Sequence, residues 1–112
     1  MAVYVSNIVI EQGFDFDTTF ELEDTVTNNL LNLSGYQIQS QLRKTYSSST
    51  SVSFASSVTG PSEGKIEISL GSTTTSQLKP GRYLYDVKLI SSNGDVFKAV
   101  EGSALVRAGV TK

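Results

Sequence analysis

Between residues 14 and 23 the chain alternates strictly. Phe14, Phe16, Thr18, Phe20 and Leu22 share one parity, and Asp15, Asp17, Thr19, Glu21 and Glu23 share the other. A period of two is the signature of a strand with one packed and one wet face, so this segment predicts a strand whose outer side is a row of carboxylates. The same period returns around Tyr36, Ile38 and Leu42, with Gln37, Gln39 and Gln41 pointing outward, and again in Lys65-Ile66-Glu67-Ile68-Ser69-Leu70. Within a serine-rich tract, Val52 and Phe54 keep the period and predict a short edge strand over residues 50–56. Residues 3–10 also read as a strand, but Val3 and Val5 lie on one face and Ile8 and Ile10 on the other. That phase change predicts either a bulge near Ser6-Asn7 or a strand crossing between two sheets.

The connecting segments follow from their residues. Residues 24–35 read as a loop that tucks Leu30, Leu31 and Leu33 inward, residues 60–64 as a Gly-Pro turn, and residues 71–77 as a threonine-rich crossing with one helical turn. No segment has the pattern of a long amphipathic helix.

Residues 78–110 organise the rest. Two β-rich runs flank Asn93-Gly94, a pair that favours a two-residue type I′ hairpin turn. In that register Ile90 faces Phe97, Val87 faces Val100 and Tyr85 faces Gly102, and Asp86 faces Glu101 as a like-charge pair. A nearby cation, a bulge at Gly102 or solvent exposure must relieve it. Upstream, Leu78-x-Pro80-Gly81-x-Tyr83-x-Tyr85 has the spacing of a tyrosine corner at the start of the sixth strand of an immunoglobulin-like sandwich. It predicts a tight turn at Pro80-Gly81 and a buried Tyr83 ring whose hydroxyl returns to upstream backbone; the alternative is a plain turn with Tyr83 at the surface. Short strands with turn signals between them predict an all-β fold, an immunoglobulin-like β-sandwich of about seven antiparallel strands forming a single domain over residues 1–112, with a small barrel as the alternative.

Composition narrows the function. There is no cysteine, hence no disulfide and no thiolate metal site, and neither a secretory signal pattern nor an apolar run long enough for a membrane span is present. The expected protein is soluble and made in the cytoplasm. Net charge is −2, but residues 1–42 hold six acids and no base, while residues 43–112 hold nine bases and five acids, so −6 is followed by +4. Such a dipolar chain favours contacts between subunits if the fold keeps the two halves apart.

Catalysis has little to work with. No histidine or cysteine is present to form a nucleophile–base pair, and the carboxylates of Asp15, Asp17, Glu21 and Glu23 line one strand face, where next-but-one neighbours sit about 6.5–7 Å apart, without an aromatic platform for a sugar. No enzyme and no cofactor are expected. A calcium site from Asp15, Asp17, Asp86 and Glu101 lacks any loop motif to wrap the ion, so no metal is expected. The nine bases are scattered and the pI is near 5.0, which argues against nucleic acid. What remains is contact with other protein, through a polar exterior, an acidic docking face at Asp15, Asp17, Glu21 and Glu23, and strand edges that extend a neighbour's sheet.

Several segments carry a resemblance. Ile8-Val9-Ile10-Glu11-Gln12-Gly13 followed by Phe16, then Ser40-Gln41-Leu42-Arg43-Lys44, the run from Gly64 to Leu70, the Pro80-Gly81-x-Tyr83-x-Tyr85-Asp86-Val87 turn and strand, and Glu101-Gly102 ahead of Val106-x-x-Gly109-Val110-Thr111 are similar to short immunoglobulin-like virion proteins of tailed phages. Those of cyanophages are the most similar, and the N-terminal domain of phage upper-baseplate proteins shows a comparable pattern. The resemblance implies a non-enzymatic structural or accessory subunit of a virion, decorating the capsid head or attached to the tail or baseplate. Its partners would be other virion proteins, with self-association besides, and neither nucleic acid nor membrane. Upper-baseplate proteins carry further domains behind this one, so a chain ending at Lys112 is expected to be a free-standing subunit. The alternative is a carbohydrate-binding module for host-surface adhesion.

Overall fold

In a computed structural model the described residues are 4–23, 32–45 and 51–110. Among them the chain forms β1 (Tyr4–Val5), β2 (Ile8–Glu11), β3 (Phe16–Glu21), β4 (Gln37–Arg43), β5 (Val52–Ser53), β6 (Ala55–Gly60), β7 (Lys65–Leu70), the short helix α1 (Ser72–Ser76), β8 (Gly81–Ile90) and β9 (Val96–Arg107). One sheet has the order β1-β9-β8-β4-β5, with β2 also on β9, and the other has the order β3-β7-β6. The fold is all-β and built on two sheets. Nine strand segments are described, β1 with β2 and β5 with β6 each occupying one predicted strand, and the expectation of antiparallel pairing throughout is corrected at one edge, where β1 and β2 run parallel to β9.

Two predicted strands are each divided, for different reasons. β1 and β2 hold one register against β9, with Tyr4 beside Val100 and Ile8 beside Ala104, so residues 4–10 neither bulge nor cross between sheets. The apolar phase changes because Val5 and Val9 face solvent, whereas Ile8 and Ile10 are buried. Val3 lies outside the described residues. The sheet crossing occurs instead at Phe54. β5 pairs with β4, β6 pairs with β7, and the intervening Phe54 N–H donates to the Ser40 carbonyl at 2.9 Å. Phe54 is thereby driven into the core, edge-on to Tyr85 and tilted against Phe16, with ring centroids 6.2 Å apart in both pairs.

The core is filled as alternation requires. β7, central in its sheet, buries Ile66, Ile68 and Leu70; facing it lie Leu42 from β4, Tyr85, Val87 and Leu89 from β8, and Val100, Ala104 and Val106 from β9. Each fully buried aliphatic side chain of this size contributes roughly 1.5–3 kcal/mol. Leu33 is buried; Leu30 and Leu31, assigned with it to an inward-tucked loop, lie outside the described residues, as do residues 46–50 of the serine-rich tract. The predicted helical turn is α1, and Pro61–Glu63 form a 3-10 turn closed by Gly64 at φ 66°.

The hairpin departs from its predicted register near the turn. Tyr85 faces Gly102, Asp86 faces Glu101 and Val87 faces Val100, but the pairing then shifts so that Lys88 faces Lys98, Leu89 faces Phe97 and Ile90 faces Val96. In the unshifted register Lys98 would lie opposite buried Leu89, and an unpaired ammonium in an apolar core is very costly. A bulge at Ala99 keeps Lys98 outside and turns Phe97 inward. The turn changes with it. Gly94 N–H donates to the Ser91 carbonyl at 3.0 Å and Ser91 N–H to the Asp95 carbonyl at 2.8 Å, with Gly94 at φ 88°. This is a three-residue loop with glycine in the left-handed position, in place of the type I′ turn predicted at Asn93-Gly94.

Candidate interaction surfaces

The outer face of β3-β7-β6 is set by register. Asp17 faces Ser69, Thr19 faces Glu67 and Glu21 faces Lys65, while Ala55 and Ser57 of β6 continue the rows beyond Ser69 and Glu67. Asp15, Asp17, Glu21 and Glu23 are all exposed. They do not act alike. Asp15 Oδ1 accepts the Ser72 N–H at 2.7 Å and thereby binds the first turn of α1. Lys65, the one base on this face among the described residues, is 3.0 Å from Glu63, and that hydrogen bond raises its ammonium above the ordinary 10.5. Asp17 and Glu23 form no ion pair with a described residue, so the face as a whole stays acidic.

The four carboxylates considered for calcium do not converge. Asp15 and Asp17 sit at the start of β3, while Asp86 and Glu101 lie on the outer face of the other sheet. Among the described residues no three acidic, histidine or cysteine side chains are placed to hold a metal ion. The Asp86–Glu101 pair is relieved by a cation: Lys98 Nζ is 3.3 Å from Glu101 and 3.9 Å from Asp86. Gly102, the bulge site considered beforehand, pairs regularly with Tyr85.

On that outer face a shallow depression of about 300 Å³ is lined by Gln39, Gln41, Arg43, Asp86, Lys88 and Lys98, among others. Its chemistry is mixed in sign and rich in amides. Among the described residues no aromatic side chain of the outer face lines it, and Tyr85, beneath it, points into the core.

The residues before and within β8 hold one another in place. Leu78 is buried, Pro80 is exposed, and Gly81 opens β8 at φ 144°, in the range that favours glycine. The Tyr83 hydroxyl donates to the Lys79 carbonyl at 2.8 Å. Its ring, expected to be buried, is half-buried, and Lys44 Nζ lies 4.7 Å from the ring centroid. Among the described side chains the buried tyrosine is Tyr85. Sequence reasoning did not single out Thr75 and Ser40, the two buried polar residues among those described. Thr75 Oγ1 donates to the Phe14 carbonyl at 2.8 Å and accepts the Gly13 N–H at 3.1 Å; Ser40 Oγ donates to the Asp86 carbonyl at 2.8 Å. Ser40 was detectable as a polar residue on the inward parity of β4; Thr75 carried no such signal, being one of five consecutive Ser/Thr residues after Gly71.

Several strand edges have no partner among the described residues: β1 and β2 on the side away from β9, β5 away from β4, and β3 and β6 on either side of β7. No described helix is long and apolar enough to cross a membrane.

No family model matches this chain, and no curated protein matches it. Among solved structures it is similar to an internalin-like protein of Listeria monocytogenes, at 19% identity and a TM-score of 0.48. The match covers 90% of this chain and 27% of that one, so the chain spans about a quarter of the length of the protein it matches.

Proposed function

We propose that this chain is an immunoglobulin-like sandwich serving as a non-enzymatic structural or accessory subunit of a phage virion, docked on an assembled protein lattice of the head, tail or baseplate. The fold assignment is supported by strand order, since β9-β8-β4-β5 facing β3-β7-β6 follows the pairing of an immunoglobulin sandwich whose first strand joins the last. The tyrosine spacing and the Tyr83–Lys79 bond support it further.

The observation that carries the functional reading is the contrast between inside and outside. Buried polar groups are spent on holding backbone, as at Thr75 and Ser40, while the exterior offers acids, amides and hydroxyls beside open strand edges. Such a surface suits hydrogen-bonded docking to other protein. The virion and its upper-baseplate analogy rest on the sequence resemblance. Co-sedimentation with purified tailed-phage particles tests the reading, followed by reconstruction of the particle. A fixed copy number at a repeating lattice position is the expected result. Absence from particles, together with saturable binding to a host glycan, would replace this reading with adhesion.

A further inference from the structure

We propose that the edge formed by β1 and β2 is a self-association surface, on which a second copy of this chain adds antiparallel about Asn7, so that Val5 of each copy faces Val9 of the other. The proposal is independent of the virion reading. It starts from the backbone. Ser6 N–H donates to the Glu101 carbonyl and Gln12 N–H to the Arg107 carbonyl, both at 2.9 Å, and the register against β9 is constant across β1 and β2. The Ser6 and Gln12 N–H groups therefore turn toward β9, while the Ser6 carbonyl leaves the ladder for the Tyr85 hydroxyl and Asn7 Oδ1 takes the Ser103 N–H in its place. By alternation, the N–H and C=O groups of Val5 and Val9 point to the side that no described strand occupies.

The other open edges carry guards against pairing with themselves. An antiparallel pairing of β3 about Thr19 would set Asp17 against Glu21, a like-charge contact at both ends. β6 shifts register between Val58 and Gly60 and runs into Pro61, and β5 has only two residues. The β1–β2 edge is built of short segments too, with two residues in β1 and four in β2, but it has neither a register shift nor a charge set against its own copy. Residues 4–10 contain no acid, no base and no proline, and Glu11 is already paired with Arg107 at 3.4 Å.

Its side chains are also self-complementary. Val5 is 74% exposed and Val9 49% exposed, on the same outer face and four residues apart. A two-fold axis at Asn7 places each valine opposite the other and lets Val5 and Val9 exchange backbone hydrogen bonds with the partner copy. The neutral, apolar match distinguishes this edge from β3. The β1-β9-β8-β4-β5 sheet of one copy then continues into that of the next.

Because the chain has no cysteine, the register can be read by disulfide trapping. V5C and V9C proteins, each folded as judged by melting temperature, are incubated alone and mixed under a glutathione redox buffer. The mixture should cross-link at least about tenfold faster than either alone, since like positions in the pair lie roughly 13 Å apart, beyond the roughly 7 Å a disulfide spans. Sedimentation velocity of the unmodified protein, from micromolar to millimolar concentration, should show a monomer–dimer equilibrium. V9K should weaken it by about tenfold or more, with an unchanged melting temperature, and D17K should leave it intact. A monomer at every concentration, which would leave this edge to some other protein's strand, overturns the proposal. So does a mixture that cross-links no faster than the single variants, or an association lost in D17K but kept in V9K.

Discussion

The hydroxyl of Tyr85 donates to the carbonyl of Ser6 at 2.5 Å, reaching from β8 across β9 to the edge strand. The bond exists because Gly102 lies between them. A Cβ at position 102 would come 2.1 Å from the Ser6 oxygen, so only glycine lets that carbonyl tilt inward. The Ser103 N–H is met instead by Asn7 Oδ1 at 3.1 Å. Gly102→Ala should therefore destabilise the fold by roughly 1–3 kcal/mol through forced backbone movement. Tyr85→Phe should cost about 1–3 kcal/mol by leaving the Ser6 carbonyl without its donor. If Gly102 acts through this contact, the two losses measured by urea denaturation should be less than additive in the double variant.

The same tyrosine predicts the alkaline limit. Burial raises the Tyr85 hydroxyl above its ordinary 10.0, and a phenolate could not donate to Ser6. The folded state holds this proton more tightly than the unfolded chain, so its contribution is complete below pH 10 and is lost as pH rises through the folded-state value. Melting temperature should fall above pH 10, and Tyr85→Phe should flatten part of that fall. Lys65, also raised, contributes in the same window, and Lys65→Met separates the two. An identical slope in wild type and Tyr85→Phe would refute the assignment.

The clasp around α1 can be tested by isosteric change. Thr75 is fully buried and its hydroxyl serves three backbone groups: the Phe14 and Ser72 carbonyls as acceptors and the Gly13 N–H as donor. Thr75→Val keeps the shape and removes every bond, at roughly 1–3 kcal/mol, or about 3–5 °C in melting temperature per kcal/mol for a chain of this size. Thr75→Ser should lose less. Asp15→Ala, which removes an exposed acceptor at the start of α1, should cost about 0.5–1 kcal/mol. Equal losses from Thr75→Val and Asp15→Ala would deny Thr75 its larger role.

Alternation was the part of the fold most legible in the sequence. Phe16, Thr18 and Phe20 against Asp17, Thr19 and Glu21 set the two faces of β3, and Ile66, Ile68 and Leu70 set those of β7. What local pattern could not supply was where regularity breaks. Phe97 and Val100 both belong inside, three residues apart, while Lys98 between them must stay out. That demand is incompatible with a period of two and implies one extra residue in β9, a signal present in the sequence but overridden by the strong turn preference of Asn93-Gly94. The phase change at Ser6-Asn7 misled in the other direction, because exposed Val5 read as a packed residue. The acidic row was legible as a face; the use of Asp15 to hold α1 was not, since it depends on a residue 57 positions away.

The bulge at Ala99 has an electrostatic consequence that mutation can isolate. It places Lys98 three residues before Glu101 on one outer face, close to both Asp86 and Glu101, so a single ammonium offsets the repulsion of two cross-strand carboxylates. All three side chains are well exposed, which limits the effect to about 1 kcal/mol or less. Lys98→Met keeps the aliphatic stem and removes the charge, and should destabilise the protein by that amount at low salt. Near 1 M salt the screening length falls to about 3 Å, Asp86 and Glu101 no longer repel strongly, and the variant should approach wild type. Asp86→Asn added to Lys98→Met should recover the low-salt loss. A deficit equal at all salt concentrations would instead assign it to packing of the Lys98 stem, and the charge argument for the bulge would fail.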